Sequence, residues 1–247
     1  MGSILWGKEI AEVYDVTSAT MFDPGILEPT VDFLAELARG GPALEFAIGT
    51  GRVALPLIER GIDVHGIELS PHMVEQLRVK RGGDAVPVMI GDMTSTHVAG
   101  EFTLVYLVWN AIMNVTTQDD QLAVFANAAA HLAPGGCFVV DVVVPQLRRI
   151  APGEVARVFS FERDHLGVDT LDDEIGQISS SHHWMEVDGT FVHHSAPYRY
   201  IWPSELVLMG KLAGFELRER WGWFDRSPFT SESESQVAVF ERPSNLG

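Results

Sequence analysis

The chain has 247 residues, 46% hydrophobic and 21% charged, the composition of an ordinary globular protein with room for one sizeable domain. Thirty-four Asp and Glu against 17 Lys and Arg give a formal charge of −17, which repels phosphate backbones and anionic membranes and argues against nucleic acid as a partner. The single cysteine, Cys137, excludes an internal disulfide framework and a Cys-rich zinc site and reads as core packing.

Met1–Glu9 carries no basic segment ahead of an apolar one, so no signal peptide is expected, and Trp6 stands where a myristoylation motif needs Ser or Thr. The apolar run Cys137–Pro145 is broken by Asp141 and is too short for a bilayer, so a cytoplasmic chain is expected. Residues 8–39 read as two helices. Ile10, Val13 and Tyr14 share one face of the first; Ile26, Leu27, Val31, Leu34, Leu37 and Ala38 recur at helical spacing in the second. Asp23-Pro24-Gly25 separates the two, and Gly40-Gly41-Pro42 ends the second.

From residue 43 strands and helices alternate. Strand 43–48 leads into helix 52–60, stopped by Gly61, and strand 63–68 leads into helix 71–80, with Ser70 as cap and Pro71 in the first turn. Strands 86–90 and 102–108 follow, then helix 117–132 and strand 137–144 after the turn Pro134-Gly135-Gly136. Such alternation demands a parallel sheet covered on both faces, and right-handed crossovers make it doubly wound. Residues 146–200 break the rhythm. Residues 155–161 are strand-like, and residues 174–187 and 191–201 flank Asp188-Gly189, a hairpin signal. Helix 204–212 and strands 215–221 and 236–241 complete the chain. The expected fold is α/β: a doubly wound, mostly parallel seven-stranded sheet with an antiparallel last strand and an antiparallel β insertion before the last helix. Residues 1–247 form one domain, with N-terminal helices 8–39 and a lid or insertion at 146–200.

The chemistry centres on Ala43-Leu-Glu-Phe-Ala-Ile-Gly-Thr-Gly51. Glycines at a strand-to-helix turn permit positive φ and let a ligand approach bare backbone, with unpaired helix N–H groups behind them. Glu68, ending the second strand, can accept both hydroxyls of a ribose, and Asp92, beside Met93, suits the amino group and ring of adenine. The spacing therefore reads as an adenosine site. Ala54 fits the third position of a dinucleotide fingerprint, but Glu45 within the first strand opposes a pyrophosphate.

Together these residues resemble the class I S-adenosylmethionine-dependent methyltransferases over about residues 10–145 and 196–242. Ala47 stands where that family usually has Gly, and Thr103 where Asp is common. Leu132-Ala-Pro-Gly-Gly136 and Leu212-Ala-Gly-Phe215 resemble the family's turns before its later strands. The resemblance implies S-adenosylmethionine as cofactor, bound by Tyr14, Glu45, Ala47, Gly49, Gly51, Arg52, Glu68, Leu69, Asp92, Met93 and Leu107. Trp109, Asn110, Met113, Arg199 and Tyr200 are the acceptor-side candidates, and the tail from Trp221 to Val239 resembles small-molecule methyltransferases of natural-product pathways.

Methyl transfer by in-line displacement needs an aligned acceptor and exclusion of water. A hydroxyl acceptor also needs a base, for which His182 and His183 are the candidates, whereas an amine needs only to be neutral. The expected acceptor is a nitrogen or oxygen of a small molecule, nitrogen first. No metal site is expected, because no carboxylate or cysteine completes the His182-His183 and His193-His194 pairs. Free edges in the insertion suit a homodimer. A nicotinamide-dependent reductase and a non-catalytic S-adenosylmethionine-binding protein are the alternatives.

Overall fold

Successive side chains of a strand point to opposite faces, so apolar strands flanked by helices generate two core layers. The computed structural model describes residues 6–187 and 189–244. Met1–Leu5, with the expected absence of a signal or myristoylation motif there, and Asp188, half of the expected hairpin turn, lie outside the described residues. In chain order the elements are α1 (Lys8–Thr17), α2 (Pro24–Ala38), β1 (Ala43–Phe46), α3 (Ala54–Glu59), β2 (Val64–Glu68), α4 (Pro71–Arg78), β3 (Val88–Ile90), β4 (Phe102–Leu107) and α5 (Gln118–His131). They continue with β5 (Leu132–Val143), β6 (Ala156–Phe161), β7 (His165–Asp173), β8 (Ile178–Val187), β9 (Thr190–Arg199), α6 (Pro203–Leu212), β10 (Glu216–Trp221) and β11 (Ser235–Glu241).

The main sheet runs β10-β11-β5-β4-β1-β2-β3. Its members pair in parallel except β11, which is antiparallel to both neighbours. This is the expected seven-stranded α/β sheet. In β4, Leu104 and Tyr106 join the layer with Leu34, Leu57 and Leu77 of α2, α3 and α4, while Val105 and Leu107 join the layer with Phe125 and Leu206 of α5 and α6. No helix among the described residues is long and apolar enough to cross a membrane.

Local chemistry sets the helix starts. The Ser70 hydroxyl accepts the Met73 N–H at 3.3 Å and Pro71 opens α4; the Thr117 hydroxyl accepts the Asp120 N–H at 3.1 Å and opens α5. Asp23-Pro24-Gly25, expected as a separator, is itself the start of α2: the Asp23 carboxylate accepts the Gly25 N–H at 2.7 Å. β5 begins at Leu132 rather than Cys137, because Gly135 N–H and the Gly136 carbonyl bond the backbone of Arg242 alongside.

The insertion is a second sheet, four antiparallel strands in the order β6-β7-β8-β9. Strand β7 is missing from the sequence reading, because Gly167, Asp169 and Asp172 lower its strand propensity. Gly167 is required there: a Cβ would stand 2.4 Å from the Phe159 ring. β8 starts at Ile178 rather than Glu174, after Gln177 in the left-handed region.

The lid is rooted by charge. Arg199 at the end of β9 is only 4% exposed and donates to Gln121 Oε1 at 2.5 Å and Glu205 Oε1 at 2.7 Å. Gln177 Nε2 donates to Glu205 Oε2 at 2.8 Å and to the Tyr200 carbonyl at 2.7 Å. This corrects the acceptor-side roles expected of Arg199 and Tyr200. Both are buried where the chain re-enters the main core, Tyr200 packed with Phe125 and Leu206 in the same apolar layer. Arg199→Ala strands Glu205 without its cation, and urea denaturation should show a loss of about 3–5 kcal/mol. A loss below about 1 kcal/mol, the range of an exposed pair, would contradict this account.

Candidate active site

Strand order reverses between β1 and β4, and the crevice beyond their carboxyl ends is where ligands bind in such sheets. The turn after β1 lies there, with Ala47, Gly49 and Gly51 at φ of 53°, 57° and 79°. A Cβ on Gly49 would meet nothing nearer than the Ala47 carbonyl oxygen at 3.9 Å, so bare backbone faces open space. Ala47 lines the same space in a conformation that favours glycine. Gly51 corrects its expected cofactor contact. It is not on the cavity wall, and its missing side chain makes room for Leu77 of α4, 2.3 Å from where a Cβ would be.

The cavity measures about 970 Å³, at the upper end of small-molecule sites. Glu68 lies on its wall at the end of β2, buried. One carboxylate oxygen accepts the Gly49 N–H at 2.8 Å and the other the Ser70 N–H at 2.9 Å, so Glu68 pins the glycine turn to the start of α4. Burial nonetheless raises its pKa. Leu69 and Met93 are apolar neighbours on the wall. Asp92 departs from expectation: it is off the wall, and its Oδ1 accepts the Thr94 N–H at 2.8 Å, capping the turn that carries Met93 into the cavity. Leu107 is a second correction. It is fully buried in the α5 layer because of strand alternation, and the next residue, Val108, reaches the wall instead.

Arg52, first after the turn, reaches into a buried cluster of titratable groups. It faces Glu45, Tyr14 and Asp141, donates to the Met21 carbonyl at 3.2 Å and holds its guanidinium 5.1 Å from the centre of the Trp109 ring. Glu45 accepts the Tyr106 hydroxyl at 2.9 Å, and burial pushes its carboxyl up to about 8. Asp141 was no sequence candidate. It accepts the Trp109 N–H at 2.9 Å, and burial pushes it up to about 7. It braces Trp109 and Asn110, two successive left-handed residues. The Asn110 side-chain carbonyl is itself used structurally, accepting the Val143 N–H at 2.7 Å. Trp109, Asn110 and Met113, the expected acceptor-side residues, all line the cavity.

The N-terminal helix closes one side. Tyr14 lines the cavity, and the carboxylate of its neighbour Asp15 accepts the Thr50 hydroxyl at 2.6 Å and pairs with Lys80. Trp6, which the sequence did not suggest, accepts at its carbonyl from Ser70 Oγ at 2.5 Å and packs its ring against Tyr14 and His194.

The lid supplies the roof. In the β8–β9 register His183 faces His194 and Ser181 faces Ala196, so alternate residues share the inner face. Phe159, His165, Asp169, Ser181, His183, Met185, His194 and Tyr198 line the cavity. His182 does not. It lies on the opposite face, bonded to Ser195 at 2.5 Å and Thr170 at 3.2 Å, which removes it as a base for the cavity. His183 Nδ1 and His165 Nε2 are 3.0 Å apart, and burial with three neighbouring imidazoles pushes His183 down to about 4. Among the described residues His194 Nε2 is buried without a partner, a group that a ligand would satisfy.

The donor set fits a ribose-bearing, diphosphate-free cofactor. Glu68 and Glu45 are both acids on the wall; the Glu68 carboxylate can accept a diol, and no pair of cations on the described wall answers a pyrophosphate. A methyltransferase-domain family matches residues 43–136. The chain is similar to the solved CcbJ methyltransferase of Streptomyces caelestis, 32% identical with a TM-score of 0.84 over 96% of this chain and 97% of that one. It is 26% identical to the cypemycin N-terminal methyltransferase of Streptomyces sp over 93% of this chain and 98% of that protein. It is 29% identical, over 52% of this chain and 58% of that protein, to the dTDP-3-amino-3,4,6-trideoxy-alpha-D-glucopyranose N,N-dimethyltransferase of Streptomyces venezuelae. With strand order, glycine turn and near-complete coverage in agreement, the chain belongs to the class I S-adenosylmethionine-dependent methyltransferases.

Proposed function

We propose that this enzyme methylates a nitrogen of a small-molecule amine, with residues 1–247 acting as one domain and the insertion roofing the acceptor. S-adenosylmethionine, when bound, supplies an electrophilic methyl carbon on a sulfonium centre. Glu68 would accept the ribose hydroxyls, Leu69 and Met93 would cover the adenine, and Arg52 would hold the methionine carboxylate. Relatives named for an amino terminus and for an amino sugar support nitrogen as the acceptor.

The observation that carries nitrogen over oxygen is the weak imidazole in the roof. A hydroxyl acceptor needs a base whose pKa lies near the working pH, and His183 is held at about 4. An amine needs only to arrive unprotonated and be aimed. In the tautomer whose His183 Nδ1–H donates to His165 Nε2, His183 Nε2 is an acceptor for the amine N–H, which would fix the direction of the nitrogen lone pair. His183 is thus an orienting group, neutral above about pH 5, and the apolar Phe159 and Met185 beside it keep water out.

Incubation with S-adenosylmethionine and a panel of small amines and alcohols, read by mass spectrometry, tests the reading. Methyl addition at an amine nitrogen is expected; methylation confined to hydroxyl oxygens contradicts it. For the amine so found, His183→Phe should lower kcat about tenfold, the scale of one hydrogen bond, with S-adenosylhomocysteine affinity unchanged by calorimetry.

The buried acids predict how stability depends on pH. Burial raises Glu45 from 4.5 to about 8 and Asp141 from 3.8 to about 7, so the folded chain keeps protons that the unfolded chain releases. Their contribution is fully present below the unfolded values and is lost as the pH rises through the folded ones. The Tm of ligand-free protein should fall between about pH 5 and pH 8, and Glu45→Gln should flatten that slope. An equal slope in the variant would refute the assignment to Glu45.

A further inference from the structure

The roof holds a carboxylate that the reading above leaves unused. Asp169 of β7 lies on the cavity wall with Ser181 of β8 and Tyr198 of β9. Ser181 Oγ donates to Asp169 Oδ1 at 2.5 Å, and the Tyr198 phenol also bonds Asp169. Arg157 of β6 is the cross-strand partner of Asp169, and the His182 ring is also near it; neither is on the wall. Even with these neighbours, burial raises the Asp169 carboxyl, and Tyr198 is pushed up as well, so its phenol stays neutral. The same face also presents the imidazoles of His165, His183 and His194 and the apolar Phe159, Met185, Val192 and Ala196. A carboxylate set into such a roof is costly unless a ligand completes its hydrogen bonds.

The charge around it narrows the ligand further. Among the described wall residues Arg52 is the single Lys or Arg, against Glu9, Glu45, Glu68 and Asp169. His183 and His194 are both lowered by burial and stay neutral near pH 7. A phosphate placed under the roof would meet the Asp169 carboxylate, with no Lys or Arg of the described roof to answer it.

Resting on the N-methylation reading, we propose that Asp169, Ser181 and Tyr198 form an acceptor subsite for a second hydrogen-bond donor, a hydroxyl or an ammonium, on a phosphate-free amine. The subsite sets this chain apart from the relative named for a dTDP-linked amino sugar, whose named acceptor carries a diphosphate.

The test uses matched amines titrated into the S-adenosylhomocysteine-loaded enzyme and followed by ligand-observed NMR. Cyclohexylamine has no second donor, 2-aminocyclohexanol adds a hydroxyl and 1,2-diaminocyclohexane adds an ammonium; glucosamine and glucosamine 6-phosphate form the phosphate pair. At least one of the two bifunctional cyclohexanes should bind roughly tenfold tighter than cyclohexylamine, the scale of a hydrogen bond to a charged group. Which of them gains says whether hydroxyl or ammonium is preferred. Asp169→Asn should erase that gain, and Tyr198→Phe should reduce it, with cyclohexylamine and S-adenosylhomocysteine binding unchanged in both. Glucosamine should bind and its phosphate should not. Cyclohexylamine binding without any gain, a gain that survives Asp169→Asn, or equal binding of the phosphate overturns the subsite alone. Failure of every amine to bind overturns the subsite and the N-methylation reading together.

Discussion

Two buried acids at the carboxyl ends of β1 and β5, with the half-buried Arg52 on the cavity wall facing both, are the constraint that the site is built around. Burial pushes Glu45 on β1 and Asp141 on β5 toward their protonated forms, and each is held by a hydrogen bond, Glu45 from the Tyr106 hydroxyl and Asp141 from the Trp109 N–H, with Arg52 facing both. Arg52 is the first residue after the glycine turn, so its guanidinium stands on the cavity wall beside that turn. The Asp141 carboxylate, through the Trp109 N–H, fixes the left-handed exit of β4 in the same step. Glu68 then ties the turn to α4, and Asp15 ties α1 across it. Five elements are thereby set around one cavity by polar groups at its base, and the apolar layers hold the frame on which they sit.

The two halves of the cavity use different chemistry. The sheet half is charged and backbone-rich, which suits a ligand with a sugar and an amino-acid end. The lid half is aromatic, with His183 and His194 pushed down by burial and Asp169 as its carboxylate on the described wall. A roof with no Lys or Arg on the described wall lets an amine shed its water without meeting a fixed positive charge.

The parallel core was legible in the sequence because it is periodic: β1 to β5 alternate with helices, and Ser70 and Thr117 cap as their residue types dictate. Glu45, Gly49, Arg52, Glu68 and Met93 were legible too, since strand-end residues of such a sheet face one crevice. What was hidden depends on register. β7 is rich in Asp and Gly, so Asp169 and His165 could not be placed until its pairing with β8 was seen. Arg199 and Tyr200 looked like lid residues in sequence, yet lie at the hinge where the lid joins the core. Leu107 and Gly51 were each one residue from the wall, which is the resolution limit of a spacing argument. The split between His182 and His183 was legible as alternation, but which of them faces inward was not.

The central claim, that Arg52 is the cavity's answer to the cofactor's carboxylate, is tested by titrating S-adenosylhomocysteine and 5′-methylthioadenosine, which lacks the amino-acid end, into wild type and Arg52→Gln by calorimetry. The account predicts that the substitution weakens S-adenosylhomocysteine roughly tenfold or more and leaves 5′-methylthioadenosine nearly unchanged. Equal weakening of both would make Arg52 a purely structural residue, and no weakening of either would place the carboxylate elsewhere.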